Sequence, residues 1–147
     1  MAHQDAGKYA AKHPPGTVLN ARIAEAIRRK SSDGKLACAA GEEISKELKV
    51  GIPEVGVTTD LLEMKIKECQ LGLFGWGKKP RHGKDIEAAA SVPGEIKTAL
   101  EKAAVKGSVN CAALWRIADR LGVNRKVVST ACETLGLKIR SCQLGTF

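Results

Sequence analysis

Ile117-Ala118-Asp119-Arg120-Leu121-Gly122-Val123-Asn124-Arg125-Lys126-Val127-Val128 reads as one helix, a tight turn and the start of another. Leu114, Ile117, Ala118 and Leu121 recur at helical spacing and mark an apolar stripe. Gly122 supplies the left-handed backbone that ends a helix, and Val123 plugs the turn. The next helix runs from about Arg125 to Leu135, Gly136 stops it, and Leu137-Lys138-Ile139-Arg140 reads as a strand.

The same pattern occurs earlier in the chain. Cys38-Ala39-Ala40 returns as Cys111-Ala112-Ala113, and Ile44, Leu48, Val50 and Val55 return as Ile117, Leu121, Val123 and Val128. Cys69-Gln70-Leu71-Gly72 returns as Cys142-Gln143-Leu144-Gly145. The alignment is gapless, with about 16 of about 41 positions identical from Gly34 to Phe74. The chain is therefore two copies of one small fold. A copy of about 70 residues is near the lower limit for a self-sufficient core, so the copies are expected to pack together or on a second chain.

In the first copy Thr17 is the expected N-cap of a helix whose stripe is Leu19, Ile23, Ala26 and Ile27. Leu36 to Cys38 reads as a short strand, a second helix carries Ile44 and Leu48, and a third runs from Pro53 to about Met64. Lys65 to Cys69 alternates as a strand, and Leu71 to Gly77 continues as an apolar, Gly-rich strand or turn. Residues 1–16 form a flexible polar arm, 17–77 the first unit, 78–90 a basic linker with a short helix at Ile86 to Ala90, and 91–147 the second unit. In that unit Ser91 caps a helix with inner residues Ile96, Leu100 and Ala104, and Gly107 ends it.

The net charge of +8 favours an acidic partner, and its distribution is uneven. Residues 1–77 carry 11 Lys and Arg against 10 Asp and Glu, whereas residues 78–147 carry 13 against 6. No apolar run approaches membrane-span length and the N-terminus lacks the order of a secretory signal. A cytoplasmic protein with reduced thiols, in no contact with a membrane, is the expectation.

The stretch from Ile117 to Val128 resembles the helix-turn-helix signature, with small Ala118 under the crossing helix, Gly122 in the turn, and Val123, Val128 and Ala131 pinning the pair. With the added strands each copy resembles a winged helix-turn-helix domain. The fold class this implies is mainly α with short β-strands, as two tandem winged-helix-like units packed as a pseudo-symmetric pair. The resemblance implies double-stranded DNA as partner, a role in transcription regulation, and major-groove entry by the helix that starts at Asn124-Arg125-Lys126. Arg125, Lys126, Ser129 and Thr130 would make groove contacts, with Asn124 as cap, and Lys138 and Arg140 would bind phosphate. The basic loop Lys78, Lys79, Arg81, His82 and Lys84 reads either as a wing or arm on DNA or as a solvated linker. Trp76 beside it either stacks on a base or covers a junction.

The first copy departs from the signature: Lys49 stands for Gly122 and Ser45 for Ala118, and no Lys or Arg lies between Val50 and Met64, where Glu54, Asp60 and Glu63 do. Phosphate would repel that helix, which is expected to serve packing, homodimerisation or a protein partner. Two other functions compete with DNA binding. One is a protein-docking module, which predicts apolar exposure around Leu71, Leu73, Phe74 and Trp76. The other is a redox or metal sensor using the repeated pairs Cys38 with Cys69 and Cys111 with Cys142. Without C-x-x-C spacing or a nearby His, these thiols read first as small core residues, and no metal or cofactor is expected. Cys132 has no counterpart, and His3, His13 and His82 are scattered. No catalytic motif is present, so the chain is not expected to be an enzyme.

Overall fold

The computed structural model describes residues 8–77 and 83–147. The protein is mainly helical with short strands. The helices are α1 (Ala21–Lys30), α2 (Cys38–Leu48), α3 (Ile52–Leu61), α4 (Gly94–Ala103), α5 (Cys111–Leu121) and α6 (Arg125–Leu135). The strands are β1 (Lys35–Ala37), β2 (Lys65–Lys67), β3 (Ser108–Asn110) and β4 (Lys138–Arg140). Every element from α1 to β2 begins again 73 residues later, so the repeat extends to the first helix of each copy. Among the described residues no helix is long and apolar enough to cross a membrane.

The chain divides into two compact units that do not coincide with the two copies. Unit 1 is Met1–Cys69 with Gln143–Phe147, and unit 2 is Gln70–Cys142. The division falls after the single Cys of each repeated Cys-Gln-Leu-Gly element, at Cys69 and at Cys142. Each unit therefore takes the Gln-Leu-Gly end of the other copy, a topology that periodicity alone does not reveal.

In unit 1, β1 pairs parallel with β2, Leu36 opposite Ile66, and both side chains are buried. Ile23, Ala24, Ala26 and Ile27 of α1 pack inward with Ile44 of α2 and Val55 of α3. Asn20, not Thr17, caps α1, accepting from the Arg22 and Ile23 amides, which leaves Leu19 outside the helix and exposed. Leu144 is 3 % exposed and seats where two glycines make room. A Cβ on Gly41 would lie 3.2 Å from Leu144 Cδ1, and one on Gly56 would lie 2.4 Å from the Leu144 carbonyl oxygen.

The described part of the N-terminal arm, residues 8–16, makes contacts with unit 1. Tyr9–Lys12 forms a 3-10 turn. The Tyr9 and Ala10 amides donate to the Glu63 carboxylate at 2.8 and 2.9 Å. Lys12 Nζ and His13 Nε2 lie 3.1 and 2.8 Å from Asp60 Oδ2, and Lys12 also donates to the Gly145 carbonyl. Asp60 in the third helix and Glu63 just past its end thus hold residues 9–13. His13 has a carboxylate partner 47 residues away, which spacing along the sequence cannot indicate.

In unit 2, β3 pairs parallel with β4, Val109 opposite Ile139. The core is Ile96, Ala99, Leu100, Leu114, Ile117, Ala118, Val128, Ala131 and Cys132 with Leu71. Pro93 stands at the N-cap of α4, and that helix ends at Ala103 because Ala104 turns extended; Gly107 instead supplies the positive φ of the turn into β3. Residues 86–90 form no helix, and Ile86 is buried against Gly72, where a Cβ would meet Ile86 Cγ2 at 2.7 Å.

Candidate nucleic-acid interface

The turn between α5 and α6 forms as its residues dictate. Gly122 is left-handed (φ 67°), and the Asn124 side chain accepts from the Lys126 amide at 2.8 Å. Asn124 is the cap expected of it. The cations that follow it do not project freely. Arg125 lies over the Trp115 ring, its guanidinium carbon 3.8 Å from the centroid. It also donates to Gln70 Oε1 and reaches Asp119 Oδ2, both at 3.1 Å, leaving its side chain 15 % exposed. Lys126 stands over the Trp76 ring at 3.6 Å and pairs with Asp85. Cation–π contact and carboxylate pairing together hold both side chains against their own unit.

Ser129 corrects the sequence reading outright. It is fully buried, and its hydroxyl donates to the Leu71 carbonyl, so it does not face outward. Thr130 is half-buried in a cleft of about 320 Å³ whose other wall includes Asp85, Ile86, Glu87, Ala89 and Val92. Lys84 is held by Glu133 at 3.1 Å, and the Ala89 amide donates to Thr134 Oγ1. The reason is common to all of these: Gln70, Leu71, Trp76 and residues 84–93 lie along the side of α6 that the helical period leaves polar. Lys78, Lys79 and Arg81 lie outside the described residues. Trp76 covers its own unit, and the apolar exposure expected for a docking module is not found, since Leu71 and Phe74 are buried and Leu73 and Trp76 half-buried.

Lys138 and Arg140 are both exposed on β4 in register with Ser108 and Asn110, and Arg140 Nε donates to Ser108 Oγ. Lys106 is exposed at the turn that enters β3, and none of the three has a carboxylate partner among the described residues. They form a cationic strip along the parallel strand pair. Sequence reasoning gives no cue to Trp115, whose ring seats Arg125, or to Lys106.

Cys38, Cys69, Cys111 and Cys132 are buried and Cys142 is half-buried. Burial pushes the Cys132 thiol up to about 11, with the neighbouring Glu133 carboxylate adding to the shift, so this sulfur is a poor nucleophile at neutral pH. Among the described residues no three His, Cys, Asp or Glu side chains are grouped to hold a metal ion. Compared with protein-family models, curated proteins and solved structures, the chain has no match in any of the three.

Proposed function

We propose that the protein is a cytoplasmic DNA-binding regulator of transcription, built from two winged-helix-like units packed as a pseudo-symmetric pair. Unit 2 supplies the charge and contacts the phosphate backbone. The observation that carries this reading is how its charges are spent. Asp85, Asp119 and Glu133 are engaged by Lys126, Arg125 and Lys84 beside α6, while Lys106, Lys138 and Arg140 stand exposed without carboxylate partners among the described residues. A strip of unneutralised cations on a unit of strong positive charge gains free energy by releasing counterions from a duplex.

In this reading α6 does not enter a groove while residues 84–93 lie along it. Binding is then directed to phosphates, with little preference for sequence. The test is fluorescence anisotropy on random-sequence duplexes between about 50 and 200 mM salt. Wild-type affinity should fall steeply with salt. Lys138→Ala with Arg140→Ala should lower the log–log slope by about 2, since each phosphate that a cation neutralises adds near 0.9 to it. Absence of binding at the lower salt, or an unchanged slope in the double variant, overturns the proposal. Selection of one site from the random pool would instead restore groove readout by α6.

A further inference from the structure

The groove between the first two helices is treated in opposite ways by the two units. In unit 1 ion pairs close it. Lys30 Nζ lies 3.2 Å from both Glu43 Oε2 and Glu47 Oε1, and Arg29 lies 3.8 Å from Glu47. The two carboxylates hold the Lys30 ammonium above its ordinary pKa, Glu43 most strongly.

In unit 2 the positions of Glu43 and Glu47 are taken by Arg116 and Arg120, and that of Lys30 by Ala103, while Arg29 remains a cation as Lys102. The groove between α4 and α5 is therefore open, about 550 Å³, with Lys102, Arg116 and Arg120 on its walls. Its floor is small and apolar, formed by Ala99, Ala103, Ala113 and Ile117. Asp119, the one carboxylate on its lining, is engaged by Arg125. Lys102, Arg116 and Arg120 are exposed and have no carboxylate partner among the described residues.

We propose that this groove docks an acidic amphipathic helix of a partner protein. The partner's carboxylates pair with Lys102, Arg116 and Arg120, and its apolar face covers the alanine floor. Charge complementarity selects the sign of the occupant. The spacing selects its chemistry, because Arg116 and Arg120 stand four residues apart on α5 and two carboxylates at the same helical spacing can meet both. A phosphate backbone would satisfy the arginines and leave the apolar floor wet, so a helix with one apolar face is the better complement. The inference stands apart from the DNA proposal, which uses the strand-pair cations.

The test uses the full chain and a fluorescein-labelled synthetic helix of about 18 residues, with Leu and Ala on one face and Glu at i, i+4 flanking it. A scrambled peptide of the same composition is the control. The amphipathic peptide should bind at least about tenfold tighter than the scramble, and Arg116→Glu with Arg120→Glu should remove at least about tenfold of that affinity. Lys138→Glu with Arg140→Glu changes the net charge equally and should alter peptide affinity less than about threefold. Arg116→Gln with Arg120→Gln is the milder variant should the charge reversal unfold the unit. Equal binding of the scramble, or full binding by either Arg116/Arg120 variant, overturns the proposal. Displacement of the peptide by random duplex DNA, with DNA affinity lost in the Arg116/Arg120 variants, would assign the groove to nucleic acid instead.

Discussion

Gly56→Ala separates the exchange of repeat ends from ordinary packing, because its two effects have opposite signs. Gly56 lies inside α3, where alanine is the better helix former by about 1 kcal/mol. Against that, the new Cβ would stand 2.4 Å from the carbonyl oxygen of Leu144, 2.8 Å from its carbon and 2.9 Å from its Cα. All three are backbone atoms, so no rotamer relieves the contact and residues 143–147 must withdraw by most of an ångström. Withdrawal exposes Leu144, a loss comparable to truncating a buried leucine, about 2–5 kcal/mol. It also strains the hydrogen bond from Lys12 Nζ to the Gly145 carbonyl. The full chain should therefore lose about 1–4 kcal/mol on Gly56→Ala. In a chain that stops at Cys142 the obstruction is gone and the same substitution should gain about 1 kcal/mol. Urea denaturation of the four proteins by far-UV circular dichroism measures the cycle. Far-UV signal is needed because Trp76 and Trp115 both belong to unit 2. A substitution with the same sign and size in both backgrounds would refute the seating of Leu144 on α3.

Lys49 ends α2 in the left-handed region (φ 54°), where its counterpart Gly122 sits without strain, so Lys49→Gly should stabilise by about 0.5–1 kcal/mol and Gly122→Ala should cost about 1–2, both read by urea midpoint. Arg125→Ala removes the Trp115 stack and the hydrogen bond to Gln70 Oε1, costing about 1–3 kcal/mol in urea denaturation, and it should lower DNA affinity less than Lys138→Ala does. For Cys132 the ordinary thiol value is 9.0 and the folded value about 11, so between those pH values the unfolded chain binds fewer protons and stability falls as pH rises. The loss should reach about 2–3 kcal/mol by pH 11, and Cys132→Thr, which copies Thr59, should abolish that component of the pH dependence.

What the sequence made legible were the features set by local spacing. Gly122, Asn124 and Gly136 each fix a helix end, and α6 begins and ends at the residues its caps dictate. The hydrophobic period located α2 and α5, Pro53 marked the first turn of α3, and the duplication was plain from identities alone. What escaped has long-range causes. Ser129 looks outward by helical period, yet the Leu71 carbonyl, 58 residues earlier, claims its hydroxyl. Arg125 and Lys126 look free until Trp115, Trp76, Asp119 and Asp85 are brought against them by tertiary structure. The Cys-Gln-Leu-Gly element could be seen to repeat, but nothing local tells that each Leu plugs the other copy's core. One signal was present in the alignment: Glu43 to Arg116 and Glu47 to Arg120 are charge reversals at matched positions of a helix whose apolar positions are retained.

That reversal belongs to a wider pattern. In both units the third helix, which the helix-turn-helix resemblance assigns to recognition, is covered by the segment preceding the unit's first helix. In unit 1 Lys12 and His13 lie on Asp60, and in unit 2 Asp85 and Lys84 lie on Lys126 and Glu133. Cover of this kind fixes charges on both sides, and any duplex approaching α6 must first break an ion pair and a cation–π contact. Side chains under no such obligation are the ones whose charge was free to change as the copies diverged. In unit 2 these line the α4–α5 groove and the β3–β4 pair, where Lys102, Arg116, Arg120, Lys106, Lys138 and Arg140 have no carboxylate partner among the described residues. The excess charge of the second copy is therefore better understood as a property of those two surfaces than of its third helix.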